Sequence, residues 1–208
     1  AEGLSDRIPI PAVAKIVHME NLHDQLKASE LLQQFGKEDF LKWPFPHVAP
    51  AACARARAYL LNKNGKAAED DLQAALALTS DKRLRTSILV SLGYNRETNL
   101  NDAPGALAAY RQNFVGKERI GGAEEFRSVQ QPARILSRQG KHAAALKTLA
   151  RIDASKQTGS WGATTYAIQG DLLTTIGRKP EARAAYQNAL AKPGLPQAWR
   201  EAIEKKIK

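Results

Sequence analysis

Residues 166–193 read YAIQGDLLTTIGRKPEARAAYQNALAKP, and their spacing decides the fold. Ala182 and Tyr186 are four apart, so both face one side of a helix. The same spacing occurs upstream in Ala68 and Leu72, Ala106 and Tyr110, and Ala145 and Leu149, with successive pairs about 38 residues apart. A fixed period in that range marks a helical solenoid, in which each helix pair buries its apolar face only against its neighbours.

Working outward from the repeat, four helix pairs are predicted: 51–63 with 66–79, 82–97 with 103–114, 123–139 with 142–153, and 161–176 with 179–191. Gly65, Gly140 and Gly177 fall between the helices of a pair, where a residue able to take positive φ ends the first helix. In the second pair Asp102 is a good N-cap. Pro104 and Pro180 sit in first turns, where a missing N–H costs little. Pro132 falls inside a helix and predicts a kink. Small residues at Ala58, Gly93, Ala133 and Gly170 let paired helices approach, while Leu72, Tyr110, Leu149 and Tyr186 fill the space between neighbours.

Residues 1–49 are of another kind. Pro9 and Pro11 open a helical stretch, with Val13, Ile16, Val17, Leu22 and Leu26, then Leu31, Leu32 and Phe35, as its apolar positions. Trp43-Pro44-Phe45-Pro46 must run extended, because each proline disfavours helix in the residue before it. This region reads as an N-terminal helical arm packed on the first pair. Residues 50–193 hold the four pairs, with Pro50 at the start. Residues 194–208 form a polar capping helix opened by Pro196, with Trp199 and Ile203 on its apolar side.

On these residues the chain resembles the tetratricopeptide repeat family. Tyr166, Gly170, Leu173, Gly177, Ala182, Tyr186 and Ala189 fit its pattern best. Val129, Ala133, Leu136, Gly140, Ala145, Leu149 and Ile152 follow it in the third unit. The second unit departs at Arg96 and Asn113, where apolar or small residues are usual. The resemblance covers about residues 50–193 and implies an all-α, right-handed alpha-alpha superhelix. It implies protein–protein recognition or scaffolding through a concave groove lined by first helices. Among the groove positions that follow from the register are Arg55, Tyr59 and Asn62 in the first unit, Tyr94 in the second, Arg127, Gln130, Arg134 and Arg138 in the third, and Asp171 in the fourth. Arg127, Arg134 and Arg138 lie close to one face, and clustered guanidinium groups suit carboxylates and phosphates. The expected partner is therefore an acidic peptide or protein. Some members clamp a chaperone's C-terminal carboxylate with Lys and Asn; Arg55, Tyr59 and Ser91 stand in the corresponding places, and two of the three lack the residue type, so that role is not implied.

Composition bounds the alternatives. Of 208 residues, 43% are hydrophobic and 25% charged, which is globular, and the formal net charge is +10. That balance favours acidic partners and leaves two other readings: nucleic acid or another polyanion, and a spacer segment of a larger multi-repeat envelope or export assembly protein. No basic run interleaved with aromatics supports nucleic acid. No enzyme is expected. His18 and His23 are five apart, off the i, i+4 metal spacing, and His47 and His142 are scattered. No nucleophile elbow, phosphate loop or dinucleotide fingerprint occurs, and Gly121-Gly122 reads as a flexible connection. Asp70-Asp71 and Glu124-Glu125 read as exposed helix positions or first turns. Cys53, the one cysteine, reads as a small hydrophobe and allows neither a disulfide nor a cysteine-built zinc site. No cofactor or metal is expected. No apolar run approaches the roughly 20 residues of a membrane span, so the chain is expected to be soluble. Residue 1 is Ala without a basic-then-apolar leader, which reads as a mature form, a trimmed start or an excised domain. The residues set no compartment. The resemblance leans toward a periplasmic or secreted place, since such proteins are frequent in bacterial export and envelope assembly.

Overall fold

A computed structural model describes residues 10–25, 27–43, 46–117 and 120–207, with the backbone alone for 10–13. The expectations for Pro9, Leu26, Pro44, Phe45 and Lys208 lie outside the described residues. Regular structure among the described residues is entirely helical. The described residues form eleven α-helices in order: α1 (Ile10–Asp24), α2 (Ala28–Phe35), α3 (Val48–Leu61), α4 (Gly65–Leu78), α5 (Lys82–Thr98), α6 (Ala103–Gln112), α7 (Ala123–Arg138), α8 (His142–Leu149), α9 (Gly159–Thr175), α10 (Lys179–Ala191) and α11 (Gln197–Ile207). The chain divides into two compact units, Ala1–Ala109 and Tyr110–Lys208. Within each unit consecutive helices pack on one another, α3 on α4 and α4 on α5 in the first, and α7 on α8 and α9 on α10 in the second, consistent with a tetratricopeptide-like helical repeat.

The register read from the sequence is the register of the core. Ala68, Leu72, Ala106, Tyr110, Ala145, Leu149, Ala182 and Tyr186 are all buried, as are Ala58 and Ala133. Gly170 shows why a small residue is required. A Cβ there would come within 2.5 Å of the Tyr186 ring, so α9 and α10 pack backbone against aromatic face. The polar departures in the second pair are satisfied inside the fold. Arg96 donates from Nε and Nη2 to Glu69 Oε1 (2.9 and 2.6 Å) and from Nη1 to the Gly105 carbonyl (3.2 Å). Asn113 is buried and donates to Ser128 Oγ at 2.9 Å.

Two details differ from the sequence reading. Gly65 is the first residue of α4, and Lys63 instead takes the positive φ of that turn, at 57°. Gly65 must be small for another reason: a Cβ would meet Asn99 Cβ at 2.7 Å and Leu100 Cδ2 at 3.0 Å in the next pair's turn. Gly140 and Gly177 do take positive φ, 73° and 77°. Helix α3 begins at Val48, so Pro50 lies within its first turn. Helix α7 runs on through Pro132, which is buried inside it; the proline costs one backbone bond to the Ser128 carbonyl. Asp102 acts as the expected N-cap, accepting from Gly105 N, and Asn64 and Asp81 cap their helices in the same way, accepting from Ala67 N and Leu84 N.

Before the pairs, α1 and α2 both pack on α3, and a 3-10 turn at Phe40–Lys42 follows α2. Leu31, Phe35 and Phe40 are buried in one core with Ala52, Ala56, Leu72 and Ile88. At the other end of the chain α11 packs on α10, with Ile203 buried among Ala182, Ala185 and Tyr186. No helix among the described residues is long and apolar enough to cross a membrane.

Candidate partner-binding site

In the first unit the expected groove positions meet the arm. Arg55 lies three residues before Ala58 on α3, and its side chain is only 13% exposed. Nε and Nη2 donate to the two Asp71 carboxylate oxygens, each at 2.7 Å. Nη1 donates to the Phe35 carbonyl at 3.0 Å and the Glu38 carbonyl at 2.7 Å. The guanidinium lies 4.1 Å from the Phe40 ring centroid. Tyr59 donates its hydroxyl to the Gly36 carbonyl at 2.9 Å. These two residues therefore bind the carbonyls where α2 ends, groups a helix C-terminus leaves without internal donors. The expectation that Arg55 and Tyr59 are exposed is corrected: the arm lies over them. Asp71 is corrected with them, because its carboxylate is buried as the partner of Arg55 and only Asp70 faces solvent. Asn62 is exposed and bonds to its own helix through the Ala58 carbonyl. Tyr94 is 52% exposed, and nothing among the described residues of its unit buries it further.

In the second unit the positions separate by depth. Gln130 is buried, and its amide donates to Thr165 Oγ1 at 3.0 Å and Thr164 Oγ1 at 3.2 Å. It joins α7 to α9, which corrects its reading as an exposed position. Arg127 is exposed, pairs with Glu124 at 3.2 Å, and holds its guanidinium 6.0 Å from the Trp161 ring, which stacks on Phe126. Arg134 is half-buried and sits 5.1 Å from the Trp199 ring of α11. Arg138 is exposed at the end of α7. Asp171 on α9 accepts from the Tyr186 hydroxyl at 2.7 Å and from Lys206 Nζ of α11 at 2.6 Å. Burial pushes the Tyr186 phenol above its ordinary value, and the Asp171 carboxylate adds to this. Burial works against the Lys206 ammonium, yet its bond to Asp171 more than offsets this and holds it above the ordinary lysine value.

The structure thus brings Arg127 and Arg134 of one helix beside Trp161 and Trp199, which the sequence reading did not assign to the face. Trp199 could have been suspected, since a large aromatic on an otherwise polar terminal helix needs a surface to cover. A guanidinium held over an aromatic ring presents its N–H groups at the ring's edge, the geometry in which it meets a carboxylate. Cys53 is half-buried, and burial pushes its thiol up to about 12, with the Asp71 charge adding to it. At neutral pH it is a thiol, poorly suited to attack.

Comparison with known proteins agrees with this architecture. No curated protein matches the chain. Residues 120–208, from the residue before the α7 connection through α11, match the family model of the tetratricopeptide repeat-like domain. The match covers the part of the chain in which Gly170, Tyr186 and Ala189 pack as that repeat requires, so this region is similar to a tetratricopeptide repeat-like domain.

Proposed function

We propose that the chain is a protein-interaction module whose second unit binds an acidic, extended segment of a partner through Arg127, Arg134 and Arg138. Tetratricopeptide-like domains are interaction modules in general and are typically without catalysis. One observation carries the finer reading: Arg127 and Arg134 are already positioned over Trp161 and Trp199. A preordered guanidinium loses little side-chain entropy on meeting a carboxylate, so more of the contact energy appears as affinity. Tyr94 and Asn62 offer further exposed polar surface in the first unit, whereas Arg55 and Tyr59 serve the arm.

The test is capture of partners by the full chain and by an Arg127→Glu/Arg138→Glu variant, with elution by a ten-residue poly-glutamate peptide. Arg134 is left intact in that variant because it supports Trp199. The expected result is a set of proteins that the peptide releases and the variant fails to retain, with unchanged thermal melting. Retention of the same set by the variant would overturn the acidic-segment reading.

A further inference from the structure

The second unit has two unlike ends. Helices α7 and α8 are joined by three residues, 139–141, and α9 and α10 by three, 176–178. Links that short make antiparallel neighbours, so both turns lie at one end of the unit. Lys192, after α10, confirms the opposite end by donating to the Ser155 and Gln157 carbonyls just before α9. Helix α11 finishes at the turn end, since Lys206 reaches Asp171 in the last turns of α9.

At the opposite end, four of the described cations are held inside the unit. Lys117 pairs with Glu125 and Lys156 with Asp153, while Arg151 and Lys192 donate to backbone carbonyls. The turn end is different. It carries Arg138, Lys141, Arg178, Lys179, Lys205 and Lys206, against Asp171, Glu181 and Glu204. Asp171 and Glu181 are taken by Lys206 and Arg178. Lys141, Lys179 and Lys205 are exposed and belong to none of the ion pairs among the described residues. Between them Ile176 is 37% exposed, an aliphatic side chain beside the cations. The first unit, taken by itself, repeats this composition at its own turns: Leu61 is 59% exposed beside Lys63 and Lys66, and Leu100 is exposed in the neighbouring turn, against which Gly65 packs.

We infer that the turn end of the second unit docks on an anionic lipid bilayer, with Lys141, Lys179 and Lys205 at the headgroups and Ile176 at the acyl boundary. Lysines on a surface act as point charges, which suits a mobile field of lipid phosphates. An exposed aliphatic side chain gains by entering the interface and gains nothing from a nucleic-acid backbone. The aromatic rings that stacking on bases would need are elsewhere, with Trp161 on Phe126 toward the opposite end and Trp199 against the core of α7 and α8. The two surfaces share only Arg138 at their border; the three lysines and Ile176 lie outside the arginine face proposed above, so partner binding there can fail without affecting them.

The experiment is sedimentation of the full chain with sucrose-loaded vesicles of phosphatidylcholine containing 30 mol% phosphatidylglycerol, at about 0.1 M salt. Binding is expected on these vesicles and absent on pure phosphatidylcholine. Each headgroup lysine contributes roughly fivefold in partitioning, so Lys141→Gln/Lys179→Gln/Lys205→Gln should lower it on the order of 100-fold. A control of equal charge change, Arg111→Gln/Lys147→Gln/Lys156→Gln, should lower it by less than about fivefold, since its cations lie away from the docking end. Ile176→Ser should weaken it several-fold while leaving thermal melting in place. Equal loss in the two triple variants would overturn the proposal, because net charge alone would then be acting. Binding to pure phosphatidylcholine would also overturn it, as would random-sequence RNA or duplex DNA held more tightly than the vesicles with the same dependence on the three lysines.

Discussion

Arg55 and Gln130 occupy the same place in their repeats, three residues before the small residues Ala58 and Ala133. Both are turned inward and both join neighbouring elements, yet the chemistry differs. Arg55 neutralises a buried carboxylate and binds the carbonyls where α2 ends, whereas Gln130 bridges two threonine hydroxyls of α9. One residue later than each small position the comparison continues. Tyr59 is held by the arm, Arg134 and Asp171 are held by α11, and Tyr94 stands 52% exposed. The repeat register fixes which positions face inward between paired helices. What a first-helix face must be made of is set by the element laid over it.

The register itself can be broken first. Tyr186→Ala should cost about 3–5 kcal/mol in chemical denaturation, as large aromatic truncations in packed cores do, because the ring fills the space that Gly170 leaves open. Leu72→Ala, the equivalent change in the first unit, should cost about 2–5 kcal/mol. A Tyr186 variant within about 1 kcal/mol of wild type would mean that the shared register does not carry the stability.

Next comes the contrast between the two bridging residues. Arg55→Ala should cost about 3–5 kcal/mol, because it leaves the Asp71 charge buried and uncompensated. Gln130→Ala should cost about 1–2 kcal/mol, the scale of one neutral buried hydrogen-bonding group. A combined Arg55→Met/Asp71→Leu change should recover most of the larger loss, since an apolar pair of similar volume needs no desolvation of charge. Equal costs for the two alanine variants would remove the distinction between an ionic and an amide bridge. Hydrogen exchange adds the location: the Arg55 variant should lose protection in α2 and α3, and the Gln130 variant in α7 and α9.

How much of this was legible in the sequence follows from the range of the interactions. Ala–x3–large pairs, prolines in first turns and the cap Asp102 act within a few residues, so the helix pairs could be read directly. Arg55 could not. Its carbonyl partners at Phe35 and Glu38 come into reach only after the chain turns back before α3. Asp71 followed Asp70 in an acidic doublet, and only the paired Arg55 makes its burial tolerable. Gly65 was read as the residue whose positive φ ends a helix, but it starts α4, and its need to be small comes from Asn99 and Leu100, more than thirty positions on. The Trp199 and Lys206 contacts with Arg134 and Asp171 likewise needed the path of α11.

The smallest expected effect distinguishes the two covering elements by pH. Glu38 accepts from Lys15 Nζ at 3.0 Å and from Trp43 Nε1 at 3.1 Å, and these bonds, Lys15 first, hold its carboxyl below its ordinary 4.5. A carboxyl lowered by folding adds stability above its unfolded value, and that stability is lost as pH falls through the folded one. Lys206 runs the other way. Its folded value lies above the ordinary 10.5, so its contribution is present below that and lost as pH rises through the folded value. The arm should therefore loosen in acid and α11 in alkali. The Lys15–Glu38 pair is half-exposed, so its share is less than about 1 kcal/mol. Exchange-rate ratios of Glu38→Gln to wild type in α1, corrected for intrinsic chemistry, should approach one as pH falls below 4.5 and exceed one at neutral pH. A ratio that does not change with pH would separate the arm's attachment from the Glu38 charge and leave Arg55 as its main ionic anchor.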